Sequence, residues 1–257
     1  MAKKWITFDL DGTLMQNPFG DWVFPEIDRV AERYLDNGQK IFPELVLEHR
    51  MRMSSGRIVE AYDWDNIVQE VFAKKGIQVK INVEELVRKH SVPPKVSLLE
   101  DNLIKGLQGL KEHGYSLGVV TNGFEKYQKP VMDALGLTKI FDVVITPEKV
   151  GYGKPQMEMV EELLHGGNEI IAHVGDRLNH DVVLANKLGV LSVLLFPTMS
   201  EAIKQTAISK RSERRDCLDW LREKWGSETN ENSLPNNAIP KLVIQSIHEL
   251  NVETLIQ

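Results

Sequence analysis

The chain has 257 residues and a formal charge of −6, from 31 Lys plus Arg against 37 Asp plus Glu. With 42% hydrophobic and 26% charged residues, its composition excludes a disordered or collagen-like chain and suits one large domain or two smaller ones. The mildly acidic balance gives no generic attraction to nucleic acid or to an anionic membrane, and Cys217, the only cysteine, excludes an internal disulfide and any zinc site built on several thiolates.

The first residues turn acidic at Asp9 before any apolar run of the signal-peptide kind develops. No stretch reaches the roughly 18 apolar residues that a spanning helix needs. A single cysteine suits a reducing compartment, so the expected location is cytoplasmic.

The short apolar run Trp5–Phe8 predicts a buried strand. From about 17 to 95 no strand pattern follows. Four helices are expected there, about Pro25–Asp36, Pro43–Met53, Asp63–Lys75 and Asn82–His90. Pro25 and Pro43 suit first-turn positions, Asn82 with Glu85 suits a capping box, and Gly76 suits a helix end. Trp22, Trp64 and Phe72 read as packing residues of this segment. His49, Arg50, Arg52 and Arg57 form a basic stretch that reads first as a solvated face and second as a contact for an anionic substrate. Val92-Pro93-Pro94-Lys95 is a stiff exit, after which a helix of about Glu100–His113 is expected.

Beyond it, strands at Leu117–Val120, Val143–Ile145, Ile170–Val174 and Leu191–Phe196 alternate with helices of about Glu125–Leu135, Gln156–Leu164 and Asp181–Leu188. Such alternation predicts an α/β fold with a parallel sheet covered by helices on both faces. The charged segment 200–237 is expected to hold a solvated helix from Arg211 to about Trp225, followed by a dispensable polar loop, Ser227–Asn237. Pro240–Leu250 reads as a short amphipathic helix.

The chemistry-bearing residues stand where strands stop. Asp9-Leu10-Asp11-Gly12-Thr13 follows the first, Thr121-Asn122-Gly123 the second, and Gly175-Asp176 with His180 and Asp181 the fourth. Carboxyl ends of parallel strands share one edge, which would then be strongly acidic and suited to a hard divalent cation such as Mg²⁺. Asp9 and Asp11, two apart, project to the same side of an extended chain, so one carboxylate can attack while the other handles a proton. Gly12 permits a tight turn, Thr121 offers a hydroxyl to phosphoryl oxygens, and Lys154 in Gly153-Lys154-Pro155 supplies positive charge. His173, inside an apolar strand, reads as a satisfied core histidine.

Phe8-Asp9-Leu10-Asp11-Gly12-Thr13-Leu14, Thr121-Asn122, Gly153-Lys154-Pro155 and Gly175-Asp176 with Asp181 resemble, in order, the four motifs of the haloacid dehalogenase superfamily of phosphohydrolases, in its branch with a helical cap after the first motif. The resemblance covers about Trp5 to Pro197. It implies a Rossmann-like core (1–16 and 96–257) with an all-helical cap (17–95), acting on a small phosphorylated metabolite as a monomer or homodimer. It further implies that Asp9 is the nucleophile that becomes phosphorylated and Asp11 the acid, then base. Gly12, Thr121, Asn122 and Lys154 would hold the phosphoryl group. Mg²⁺ would bind to the Asp9 carboxylate, the Asp11 backbone carbonyl and Asp176, with Asp181 supporting the site directly or through water. Members that cleave carbon–halogen bonds usually lack an acid at the place of Asp11. His180 stands where many relatives have Asn.

Two alternatives stay open at this stage. A phosphomutase uses the same scaffold but passes the phosphate to a second hydroxyl. A phosphoacceptor signalling module also sets acids, a Thr and a Lys at strand ends, although the helical insertion gives it no purpose.

Overall fold

Strand β1 (Lys4–Phe8) is buried from Trp5 onward and lies near the middle of the sheet. A computed structural model describes residues 2–35 and 38–255. The other strands are β2 (Met15–Gln16), β3 (Ser97–Leu98), β4 (Ser116–Val120), β5 (Val143–Ile145), β6 (Glu169–Gly175), β7 (Leu191–Leu195) and β8 (Leu242–Ile244). Six of them form one sheet in the order β5-β4-β1-β6-β7-β8, and every pairing in it is parallel.

Alternation along β1 shows that both faces are covered. Ile6 and Phe8 pack in one apolar cluster with Leu103 and Leu107, whereas Trp5 packs in another with Val160, Leu163 and Leu184. The helices Leu103–Glu112 and Glu125–Ala134 follow the expected bounds closely, the latter ending just before Gly136 at a positive φ of 75°. Residues 157–167 make tight 3₁₀ turns rather than the expected α-helix, broken where His165 and Gly166 leave helical angles. The helix expected from Asp181 starts as a wide π-type turn, Leu178–Val182, and continues as Val183–Leu188.

Among the described residues between 17 and 95, a π-type turn, Phe19–Val23, leads into the α-helices Phe24–Ala31, Phe42–Ser54, Ile58–Ala61, Trp64–Lys74 and Val83–His90. Asp63 and Asn82 cap the last two by accepting from Asn66 N and Glu85 N. The first of the helices stops at Ala31 and continues as turns, short of the expected Asp36, which itself lies outside the described residues. β2 and β3 pair antiparallel, Met15 opposite Leu98 and Gln16 opposite Ser97, so the helical segment leaves and returns at one point. Phe72 is buried, but Trp22 keeps 38% of its surface exposed, stacked on His90 beneath Lys95 Nζ.

The C-terminal third differs from the sequence expectation. Leu242-Val243-Ile244 is a sixth sheet strand, not part of a helix. Leu242 and Ile244 enter the apolar cluster of one sheet face and Val243 that of the other, a period of two. Arg211, buried rather than solvated, donates to Val243 O at 3.2 Å on this edge strand and pairs with Glu249 at 2.6 Å. The charged helix runs Arg215–Thr229, past Gly226, and is not solvated all round. Cys217, Leu221 and Trp225, four apart, bury one stripe against Leu178, Val182 and Phe196. The segment Ser227–Asn237 is anchored as well, through Glu228 Oε2, which accepts from Asn179 N at 2.9 Å.

Candidate active site

Parallel pairing brings the ends of β1, β4 and β6 to one edge of the sheet, with Asp9, Thr121 and Asp176 just beyond them. Asp9 N still donates to Val174 O at 2.9 Å, so the carboxylate starts from a backbone fixed by the sheet. The chain then turns around Leu10 O, which accepts from Leu14 N at 2.8 Å and Met15 N at 3.0 Å. Gly12 takes a φ of +81° in this turn, and a Cβ there would lie 2.9 Å from Asp176 Oδ2. Only glycine combines that backbone with that approach.

Lys154 ties the edge together. Its Nζ donates to Asp9 Oδ1 and to Asp181 Oδ1, each at 2.6 Å, and its side chain is 2% exposed. His173 Nε2 donates to Asp181 Oδ1 at 3.1 Å while its Nδ1 lies 2.9 Å from Thr7 Oγ1. An ionised Asp181 only accepts, which places a proton on Nε2. Arg177 N donates to Asp181 Oδ2 at 2.9 Å, so both oxygens of this carboxylate are engaged. Gly175 makes room for it, since a Cβ there would lie 2.1 Å from Asp181 Cγ.

Two buried carboxylates, Asp9 and Asp181, thus share one ammonium group, and the half-buried Asp176 lies beside them. Asp9, Asp176 and Asp181 each place an oxygen within 4.8 Å of the others. Burial pushes Asp9 up to about 6, with Lys154 opposing and Asp181 adding to the rise. Burial first, then Asp9 and Asp181, pushes Asp176 up to about 7. Asp181 is held far below the usual carboxylate range because Lys154 and His173 outweigh its burial, and Lys154 is held above its ordinary value by Asp181 and Asp9 against burial. Excess buried negative charge of this kind, made of hard oxygen donors, suits a divalent cation.

Asp11 stands apart from that cluster. Gln128 Nε2 donates to its Oδ2 at 2.6 Å, while Oδ1 is buried without a partner. Burial raises its affinity for a proton. Thr121 Oγ1 accepts from Gly123 N at 3.1 Å. Asn122 clamps the Lys154 backbone from both sides, Oδ1 accepting from Lys154 N at 2.7 Å and Nδ2 donating to Lys154 O at 3.2 Å. Its amide therefore positions the lysine, while the residue also borders the cavity over the acids.

A cavity of about 230 Å³ opens over these groups, lined by Asp9, Asp11, Thr121, Asn122 and Lys154 together with Phe19, Phe24, Tyr62 and Trp64 from the helical segment. Trp64 therefore faces the cavity as well as packing in the segment, on Phe24 at a centroid distance of 4.9 Å. Of the basic stretch, Arg52 is buried against Glu48 and Glu70, each at 3.0 Å, and only His49 and Arg50 border a space beside the site. Asp65, at the start of the Trp64 helix, latches that helix to the core by accepting from Lys126 Nζ at 2.7 Å and Tyr127 Oη at 2.9 Å.

The sequence reading missed Gln128, Tyr127, Tyr62 and Arg177, and read His173 as core alone. Gln128 and Tyr127 lie in the first turn or so of the helix after the second motif, and that position was the one available signal. His180, buried and facing Arg177, is pushed down to about 3 and is neutral.

The family model of haloacid dehalogenase-like hydrolases matches residues 3–189. The chain is 33% identical over 199 residues to a glyceraldehyde 3-phosphate phosphatase of Methanocaldococcus jannaschii, covering 74% of this chain and 83% of that protein. It is 31% identical over 113 residues to a ribulose-1,5-bisphosphate 5-phosphatase of Halopiger xanaduensis, covering 42% of this chain and 47% of that one. Its fold is similar to a crystal structure of a HAD phosphatase from Thermococcus onnurineus, with a TM-score of 0.60 and 28% identity over 77% of this chain and 88% of that one. With four motifs in order on one sheet edge and a match over most of its length, the chain belongs to the haloacid dehalogenase-like hydrolases, among the phosphohydrolases of that superfamily.

Proposed function

We propose that this chain is a Mg²⁺-dependent phosphatase of small phosphorylated metabolites that works through an aspartyl phosphate at Asp9. The observation that carries the reading is the pairing of two carboxylates with different surroundings. Asp9 is fixed by Lys154 Nζ at 2.6 Å, while Asp11, two residues on, keeps one buried oxygen unpartnered in the same cavity.

In this reading the Asp9 oxygen not held by Lys154 attacks phosphorus, and the bond from phosphorus to the substrate oxygen breaks. Asp11, whose burial favours the protonated form, gives its proton to the departing oxygen. Asp11 then takes a proton from water, which attacks the acyl phosphate, releases inorganic phosphate and restores Asp9. Lys154 offsets charge on the transferring group and holds Asp9 in line, and Asn122 fixes the lysine backbone. Thr121 stands at the end of β4 to hold the phosphoryl group, beside the turn that Gly12 permits.

Asp9, Asp176 and the Asp11 backbone carbonyl would hold Mg²⁺. Asp181 would support the site by anchoring Lys154. When bound, the cation neutralises the surplus of carboxylate charge and polarises a phosphoryl oxygen.

The segment 17–95 acts as a cap in this proposal, because Phe19, Phe24, Tyr62 and Trp64 line the cavity opposite the acids. A space of about 230 Å³ favours a small leaving group. The names of the relatives, one for a triose phosphate and one for a pentose bisphosphate, support a small phosphorylated sugar.

A phosphate-release screen over sugar phosphates, phosphorylated acids and nucleotides, with Mg²⁺ or with chelator, tests the reading. Release that needs Mg²⁺ and no bisphosphate activator is expected. Transfer between hydroxyls without release would mean a mutase, and a stable phosphoprotein that hydrolyses nothing would mean a signalling module.

A further inference from the structure

Beside the reaction cavity lies a second and larger one, of about 640 Å³, between the helix Phe42–Ser54 and the loop after β6. The two cavities share Tyr62, Arg177 and His180 in their linings, so they adjoin along the wall that follows Asp176. Arg50 and Arg177 are the strong cations of this second space. Glu228, the one acid in its lining among the described residues, is already committed: Oε2 accepts from Asn179 N at 2.9 Å and Oε1 lies 3.1 Å from Lys224 Nζ.

Arg177 is half-buried, yet among the described residues no carboxylate lies within 4.0 Å of its guanidinium or of that of Arg50. Its one side-chain hydrogen bond is long, Nε to Asn179 Oδ1 at 3.4 Å. Arg52 and Arg211, by contrast, are buried with carboxylate partners. A guanidinium withdrawn from water without an anion forgoes its strongest interaction, and its planar fork matches carboxylate and phosphate oxygens. Arg177 is also fixed to the reaction site, because its backbone N–H donates to Asp181, the anchor of Lys154. A group bound by Arg177 is thereby held at a set distance from Asp9.

We propose that Arg177, assisted by Arg50, binds a second anionic group of the substrate in this adjoining cavity, so that the enzyme selects organic phosphates carrying a distal carboxylate or phosphate. This inference rests on the phosphatase reading above and adds the substrate class to it. Binding energy gained at the distal group orients the scissile phosphate over Asp9.

The test compares linear phosphate monoesters of equal length ending in a hydroxyl, a carboxylate or a phosphate, with p-nitrophenyl phosphate as an activity control, on wild type, Arg177→Gln, Arg177→Lys and Arg50→Gln. Wild type is expected to favour the anionic ends in kcat/KM by about ten- to a hundredfold over the hydroxyl end, the range of a charged hydrogen bond. Arg177→Gln should remove most of that preference, Arg177→Lys should restore part of it, and Arg50→Gln should lower it less. The better of the carboxylate and phosphate ends identifies the group. Equal kcat/KM for all three ends in wild type, or an equal loss on all three in Arg177→Gln, overturns the inference while leaving the phosphatase reading intact. Failure of wild type to hydrolyse p-nitrophenyl phosphate or any ester with Mg²⁺ overturns that reading, and this inference with it.

Discussion

Lys154 Nζ stands 2.6 Å from Asp9 Oδ1, across 145 residues of sequence, and shares its remaining reach with Asp181. Removing the ammonium group leaves the buried carboxylates of Asp9 and Asp181 facing one another, with half-buried Asp176 beside them. Lys154→Ala should lower kcat by on the order of 10²–10³, the scale of losing one preorganised charge at a transition state. Breaking a buried pair by deleting one partner also costs about 3–5 kcal/mol, so urea unfolding should shift to lower concentration unless Mg²⁺ takes up part of the charge. Phosphate release and urea melts with and without Mg²⁺ check both parts.

Asp11→Asn separates proton transfer from nucleophilic attack. The amide keeps the size of the side chain and a partner for Gln128, but it holds no transferable proton. Turnover of alkyl phosphates should fall by about 10²–10⁴. Phosphorylation of the enzyme by p-nitrophenyl phosphate, whose leaving group needs no proton, should fall much less. A rapid-quench burst followed by slow turnover is the expected trace, and an equal loss in both steps would remove Asp11 from the acid role.

His173 acts through Asp181. His173→Leu deletes a donor to a buried carboxylate and leaves Thr7 Oγ1 without the ring, so a loss of about 1–3 kcal/mol in stability is expected. His173→Gln, which can still donate, should recover part of both stability and kcat. Denaturant melts and kcat values for the two variants are the check.

Stability without metal should fall as pH rises through the weakly acidic range. Asp9 and Asp176 titrate at about 6 and about 7 in the folded chain against 3.8 when unfolded, so between pH 4 and 7 the folded state binds more protons than the unfolded one. The slope of stability with pH is then negative across that window. Asp181 works the other way, since its stabilising ionisation is lost only as pH drops below its unfolded value of 3.8. Melting temperatures in chelator should decline from pH 5 to pH 7.5. Mg²⁺ should raise them more at pH 7.5, where the carboxylates are ionised, than at pH 5.

The helix Arg215–Thr229 contributes to the core through Leu221, which is fully buried. Leu221→Ala should cost about 2–5 kcal/mol, whereas a charge reversal at exposed Glu223 should stay within about 0.5 kcal/mol. Thermal melts of the two variants distinguish a packed helix from a solvated one.

The parallel strands were legible because each is a short apolar run ending in turn residues, and the sheet edge follows from their order. The last strand was not. Leu242-Val243-Ile244 is too short to separate a period of two from a helical pattern, and its pairing with β7 depends on contacts that the sequence does not display. The tail helix misled through its alternating charges, which hide a stripe of Cys217, Leu221 and Trp225. In the site, Asp9, Asp11, Lys154 and Asp176 announced themselves by motif. Gln128 and Arg177 did not, because a lone polar residue on a helix or loop shows its partner only after folding. His173 was legible as buried, but its bond to Asp181 needs the turn after β6 to bring the acid back over the strand.

The central claim is that Asp9 carries the phosphoryl group. Wild-type enzyme turning over a phosphate monoester in Mg²⁺ can be acid-quenched and treated with borohydride, which reduces an aspartyl phosphate to homoserine, before peptide mass mapping. The account predicts homoserine at Asp9 and at no other aspartate. Homoserine at Asp11 or Asp176, or full turnover with Asp9 unmodified and with Asp9→Asn still active, would contradict it.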